Sequence, residues 1–271
     1  MHKLSVAIIT YNEESRIVAC IQSVLPIADE VVVIDSFSTD KTVALAESRE
    51  ARVILNPFEG YAEQKNFALA QCQHPYILSL DADERLDEEA IQQIRALKEK
   101  GFEADGYILP RKSFIGNRRI RYGSWYPDKK VRLVQKGKAC WKGKGVHESL
   151  VVESANIFTL QGYILHYSYQ NTGELLVKTR KYAELAARYL HSQHKKISPV
   201  MVPVKALVRF IKHYFIKLGF LEGWTGFLIG RQQFYEAWWK YSGLLSLHRE
   251  KTEEQKNRKT GKQKNRRTEE L

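Results

Sequence analysis

Asp81-Ala82-Asp83 closes the apolar run Tyr76-Ile77-Leu78-Ser79-Leu80. Two carboxylates one residue apart, at the end of a buried strand, are costly unless a cation neutralises them. A hard divalent cation such as Mg²⁺ or Mn²⁺ does so, taking one or two carboxylates and filling its other positions with phosphate oxygens and water. The pair therefore points to chemistry on a phosphate-bearing substrate. Breaking a bond to phosphate also calls for basic groups that stabilise the leaving charge, and for a base that takes the proton of an attacking hydroxyl. Glu148, in Val146-His147-Glu148 after Gly143 and Gly145, is the first candidate for that base, and Asp128 the second. His147 or His166 could complete a metal shell or contact the phosphate.

These residues need elements that bring them together. The first hundred residues alternate short apolar runs with helical patterns. Strands are expected over Leu4–Thr10, Val31–Asp35, Arg52–Leu55 and Tyr76–Leu80. Helices are expected over Glu13–Leu25, Asp40–Ser48, Tyr61–Gln71 and Glu88–Lys100, the last with Asp87 as N-cap. Such alternation predicts an α/β fold with a mostly parallel sheet covered on both faces, which binds ligands at the carboxyl ends of its strands. Thr10-Tyr11-Asn12, Asp35-Ser36 and Asp81-Ala82-Asp83 all fall at such ends, so one shared rim is the simplest geometry. From about Gly106 to Tyr169 short aromatic and β-branched runs with glycines predict an irregular mixed region. Helices return after Glu174, notably over Val204–Leu218 and Gln232–Leu245. The expected organisation is a catalytic domain over 1–173, a helical C-terminal extension over 174–248 suited to a membrane surface, and a charged tail over 249–271 that is disordered or a fraying helix.

The chain has 271 residues, 44% of them hydrophobic, and a net charge of +12. From Leu109 to Gly145 there are twelve Lys or Arg and one acid, Asp128, so this segment holds nearly the whole surplus. It is expected to face anionic lipid or a phosphorylated acceptor. Three scattered cysteines indicate a reducing compartment, and no apolar run approaches the roughly 20 residues that span a bilayer. There is no G-x-G-x-x-G after the first strand and no G-x-x-x-x-G-K-[ST], so any nucleotide must be held another way.

Four motifs in order carry a resemblance: Leu4-Ser5-Val6-Ala7-Ile8-Ile9-Thr10-Tyr11-Asn12-Glu13, then Val33-Ile34-Asp35-Ser36-Phe37-Ser38-Thr39-Asp40, then Gln64-Lys65-Asn66, then Asp81-Ala82-Asp83-Glu84. Together they look like glycosyltransferase family 2 over about residues 3–170. Within it the chain resembles the lipopolysaccharide-core β-1,4-glucosyltransferase group, also through Trp125-Tyr126-Pro127-Asp128, Val131-Arg132-Leu133 and Val146-His147-Glu148. The resemblance implies a GT-A fold and inverting transfer of a sugar, glucose from UDP-glucose, onto an anionic glycolipid, the lipopolysaccharide inner core, at the cytoplasmic face of the inner membrane. It implies that Thr10, Tyr11 and Glu13 line the base and ribose pocket, that Asp35 hydrogen-bonds the base, and that Lys65 lies near base or diphosphate. Asp81 would hold the donor, Asp83 and His147 the Mg²⁺ or Mn²⁺, and Trp125 and Arg132 the acceptor.

Each residue also has a plainer reading. Asp35 could cap the next turn, Lys65 could be an exposed helix lysine, His166 a packed histidine, and Trp125 core. The nearest rival function is the same fold acting on another nucleotide sugar, or on a polyprenyl-phosphate or polysaccharide acceptor. A nucleic-acid-binding module built on the basic segment is the rival from another class, and it leaves the strand-end carboxylates unexplained, so no nucleic-acid partner is expected.

Overall fold

The structure is a computed structural model and describes residues 2–143 and 148–269. The chain divides into two compact units, Met1–Thr172 and Gly173–Leu271.

The first unit opens with β1 (Leu4–Thr10), α1 (Ile17–Val24), β2 (Glu30–Asp35), α2 (Thr42–Glu47), β3 (Arg52–Leu55), α3 (Tyr61–Gln71) and β4 (Tyr76–Asp81). A short β5 (Glu84–Leu86) leads into α4 (Glu88–Lys100), where the Asp87 side chain accepts from the Ala90 N–H at 3.0 Å, the expected cap. The mixed region then supplies β6 (Gly106–Ile115), β7 (Arg118–Arg119), β8 (Asp128–Gln135), β9 (Ala139–Lys142), β10 (Ser149–Val152), β11 (Ile157–Thr159) and β12 (Ile164–Tyr169). The main sheet has the order β3-β2-β1-β4-β8-β6-β12-β5, with β7 and β11 pairing to β6. The β3-β2-β1-β4 half is wholly parallel, and β8 joins it antiparallel. This is the mixed α/β, GT-A-like arrangement expected from the sequence.

Alternation along β1 explains the layering. Leu4, Val6 and Ile8 pack on one face with Ile17 and Ile21 of α1 and Ile91 and Ile94 of α4. Ala7 belongs to the opposite cluster, with Ala68 and Leu69 of α3, Trp141 and Leu150. Where α4 meets the sheet, Gly162 lies so close that an added Cβ would fall 2.1 Å from the Ala90 backbone nitrogen.

Two helices are shorter than their patterns. The first starts at Ile17 rather than Glu13, and ahead of it the Glu13 and Glu14 N–H groups donate to Thr42 Oγ1 and Asp40 Oδ2 from the loop after β2. The second starts at Thr42 rather than Asp40, since Asp40 Oδ1 accepts from the Thr42 N–H at 2.9 Å.

The second unit contains α5 (Thr172–Ser192), α6 (Met201–Ile211) and α7 (Gly223–Glu269). The expected single helix over 204–218 is two pieces: α6 gives way to a π-helical turn, Lys212–Ile216, then to a 3₁₀ turn, Gly219–Glu222. The charged tail continues the backbone of α7 through Glu269. Among the described residues, no helix is long and apolar enough to cross a membrane.

Candidate active site

The parallel half brings the strand-end motifs to one rim. Thr10 is the register partner of Asp35, and Ile9 that of Asp81. Asn12 stitches the first two motifs together. It takes a left-handed backbone (φ 53°), which Asn tolerates, and its Oδ1 accepts from the Thr39 N–H at 2.8 Å while its own N–H donates to Ser38 Oγ. Asp35 is fully buried, and its two oxygens accept from the Ser38 N–H (2.7 Å) and Ser38 Oγ (2.5 Å). It thus caps the turn after β2. Thr10 is buried with no partner for Oγ1 among the described residues, Tyr11 is exposed, and Glu13 is ion-paired to Arg16 at 2.6 Å.

The Gln64-Lys65-Asn66 motif lies on α3. Successive helix residues point about 100° apart, so its three side chains reach three places. Gln64 donates to Ser36 Oγ and accepts from Asn56. Asn66 pairs with the Trp141 backbone in both directions, at 2.8 and 2.9 Å, and so ties β9 to α3. Lys65 is only 2% exposed, so the plain surface reading is wrong for it. Its Nζ lies 2.9 Å from Asp81 Oδ1 and 2.9 Å from Glu148 Oε1, and 4.3 Å from the centre of the Trp141 ring. The approach to Asp81 is an ion pair without hydrogen-bond alignment, and Asp81 Oδ1 accepts from no group among the described residues.

Asp81 is held from the other side by Arg132 of β8, whose Nη2 is 3.3 Å from Asp81 Oδ2 and 2.8 Å from Glu84 Oε1. Arg111 of β6 reaches Glu84 Oε1 at 3.0 Å and Asp128 Oδ2 at 2.5 Å. Glu84 is completely buried, and its second oxygen accepts from the Asp81 N–H at 3.0 Å. Four carboxylates (Asp81, Glu84, Asp128, Glu148) thus share three cations, Lys65 and Arg132 buried and Arg111 partly buried. Burial alone would raise the Asp81 pKa, but Lys65 and Arg132 hold it well below the usual aspartate range. Burial acts against the charge of Arg132 as well, and Glu84 and Asp81 overcome it and raise its pKa.

Asp83 points away from this cluster. Its Oδ2 lies 3.3 Å from His166 Nε2 on β12, and this imidazole outweighs burial to lower the Asp83 pKa. Ser168 Oγ lies 2.9 Å from the same ring. One carboxylate and one imidazole fit a divalent ion whose remaining ligands are diphosphate oxygens and water. Among the described residues no group of three or more His, Cys, Asp or Glu side chains forms a metal site without such a substrate.

Several expectations land elsewhere. Arg132, assigned to the acceptor, is 3% exposed and turned into the cluster, where it braces Asp81. Asp128, the second candidate base, has both oxygens engaged, by Arg111 and, at 3.6 Å, by Lys130. Glu148 keeps one oxygen without a partner among the described residues. Trp125 stacks on Tyr169 with ring centres 5.7 Å apart. His147 lies outside the described residues. The basic segment is not one free surface: Arg132 is internal, Arg111 is partly buried against Glu84 and Asp128, Lys112 lies 3.5 Å from Asp87 and over the Tyr163 ring, and Lys136 donates to the Cys72 carbonyl.

The partners of Glu84, Arg111 and Trp141 escaped the sequence reading, whereas His166, named there for the metal shell or the phosphate, does sit against Asp83. Glu84 stood in the fourth motif, three residues after Asp81, with no role assigned to it. Nothing local pairs Arg111 with Glu84; that follows from β4, β8 and β6 being neighbours in the sheet.

The family model for glycosyl transferase family 2 matches residues 5–154, more than half the chain. An uncharacterized glycosyltransferase of Rickettsia bellii is 38% identical over 238 residues, covering 83% of this chain and 80% of its own. The lipopolysaccharide core biosynthesis glycosyltransferase LpsC of Rhizobium meliloti is 32% identical over 241 residues, 82% of this chain and 87% of its own. Among solved structures, Staphylococcus aureus TarS with UDP aligns over 87% of this chain and 91% of its own, at 16% identity and a TM-score of 0.47. Mycobacterium tuberculosis glucosyl-3-phosphoglycerate synthase with Mn²⁺, UDP and glucosyl-3-phosphoglycerate aligns over 43% of this chain and 45% of its own, at 26% identity and a TM-score of 0.32. With its strand-end motifs assembled on one rim, this chain belongs to glycosyl transferase family 2.

Proposed function

We propose that the protein transfers a single sugar, glucose from UDP-glucose, with inversion, to a hydroxyl of an anionic glycolipid of the lipopolysaccharide inner-core type at the cytoplasmic membrane face. The observation that carries this reading is the division of the rim into a cation-braced cluster around Asp81 and a separate Asp83–His166 pair. The likeness to LpsC supports the acceptor class.

In this reading the buried rim at Thr10 and Asp35 receives the nucleoside, with Asp35 accepting from the base N–H. Asp81, fixed by Lys65 and Arg132, stays ionised and accepts from ribose hydroxyls. Asp83 and His166 are the residues that would hold Mg²⁺ or Mn²⁺, which when bound supplies positive charge to the leaving diphosphate. The acceptor oxygen attacks the anomeric carbon as the sugar–phosphate bond breaks, and its proton passes to Glu148 through the oxygen that Lys65 leaves unpartnered. Lys65 keeps Glu148 aimed at the rim.

A thermal-shift screen of nucleotide sugars with each metal tests the donor. Stabilisation by UDP-glucose and metal together, and not by GDP- or CMP-sugars, is the expected result. Stabilisation by a different nucleotide class, or none by any UDP-sugar, would replace this donor.

A further inference from the structure

We propose that the second unit carries a docking site for an anionic phospholipid bilayer, formed by a bare apolar ledge on α6 and the basic groove beside it. The proposed function enters only through the acceptor's membrane setting; the docking itself is independent of the sugar chemistry.

Val204, Leu207, Val208 and Ile211 fall within an arc of about 100° on α6, and all four are exposed. The opposite side of the helix is also apolar, but there Val202 and Ala206 are buried. One apolar face is therefore packed and the other bare. Past the helix end, Ile216 and Trp224 are also exposed, each by 70%. Soluble monomers rarely leave a run of bare aliphatic side chains along one helix face without a partner.

The hairpin cannot hide this ledge by a small rotation. His213, fully buried in the π-helical turn, donates from Nε2 to the Gly226 carbonyl of α7 at 3.1 Å. Gly226 approaches the preceding turn so closely that a Cβ would fall 1.8 Å from the Gly219 carbonyl oxygen. The bare face is held outward by this lock.

Beside the ledge, between α6 and α7, lies a groove of about 410 Å³. Lys205, Arg209, Lys212 and Lys240 line it, and none of its lining residues is acidic. Glu236 is taken up by Arg209 at 2.8 Å, and Arg209 Nε has no partner among the described residues. Cations directly beside bare aliphatic side chains and a tryptophan match a lipid surface: phosphate headgroups above, acyl chains below. A second copy on the same face would bring two cationic grooves together, so charge opposes that occupant. No described helix can span a bilayer, so the hairpin would lie in the interface.

The test is flotation of the full chain with vesicles of phosphatidylethanolamine and phosphatidylglycerol against vesicles of phosphatidylcholine. Binding should favour the anionic vesicles and weaken with salt. Lys205→Ser with Lys240→Ser should weaken it by about fivefold per cation removed. Leu207→Glu with Ile211→Glu should weaken it about tenfold or more. Both sets alter the second unit's surface, so hydrolysis of a nucleotide sugar without acceptor should be unchanged; its loss would implicate the chemistry, not the docking. Equal binding to both vesicle types, or anionic binding that neither variant weakens (as when the basic tail is the anchor), would overturn the proposal. A concentration-dependent dimer abolished by the Glu pair would also overturn it, reassigning the face to a second copy. Should the Glu pair fail to fold, the Lys pair decides.

Discussion

Glu84→Gln tests whether one buried carboxylate organises the rim. Glu84 has no exposed surface, takes Arg132 at 2.8 Å and Arg111 at 3.0 Å on one oxygen, and accepts from the Asp81 N–H at 3.0 Å on the other. Glutamine has nearly the same shape but replaces one acceptor by a donor. Either orientation turns that NH₂ toward the two guanidinium groups or toward the Asp81 N–H, so at least one contact becomes donor against donor. Breaking a buried ion pair from one side costs about 3–5 kcal/mol. The lower end applies, because Arg132 keeps Asp81 and Arg111 keeps Asp128 as partial compensation. A loss of about 3 kcal/mol is a large share of the 5–15 kcal/mol that holds a typical domain together. Hydrogen exchange of the slowest amides in β4 and β8 reads this unit alone, and those amides should exchange about a hundredfold faster, 1.4 kcal/mol being a factor of ten. Glu99→Gln, on the exposed side of α4, is the control and should stay within about 0.5 kcal/mol of the parent. If Glu84→Gln matches that control, the cluster is not what holds the rim.

Further outcomes follow from the same geometry. Asp81 has a depressed pKa, so its stabilisation is full above the unfolded value of about 3.9 and is lost as pH falls through the folded value. The stability gap between the parent and Asp81→Asn should therefore be constant near neutrality and close below about pH 4 in urea titrations; a gap that widens with acid would reverse the assignment. Asp83→Ala should abolish sugar transfer, as should EDTA, while circular dichroism stays that of the parent; full activity in either case removes the metal from the reaction. Glu148→Gln should lower turnover by about 10²–10⁴-fold with donor affinity little changed, and the same split in Asp128→Asn instead would move the base. Gly162→Ala should cost about 1–3 kcal/mol by forcing a methyl group against the Ala90 backbone, read as a lower urea midpoint; an unchanged midpoint would mean that α4 can shift freely.

The sequence determined the layered half of the fold and the rim. Short apolar runs bounded by turns read as strands, alternation with helices makes them parallel, and parallel strands align their carboxyl ends. Thr10, Asp35, Asp81 and Asp83 were legible for that reason, and so was the Asp87 cap, which is a local contact. Helix starts were less legible: the turn before α1 is tied to side chains more than twenty residues away through the N–H groups of Glu13 and Glu14. Only the tertiary structure decided what neutralises the strand-end pair. Lys65 and Arg132 were expected to meet substrate and Arg111 was one charge of a basic segment, because charge patterning carries no depth. They came together because β8 and β6 continue the sheet beyond β4 and α3 covers it, setting three cations against carboxylates from 16 to 83 residues distant. A local pattern fixes which face of an element is apolar; which distant charge meets which is fixed by strand order, and that depends on packing the whole chain.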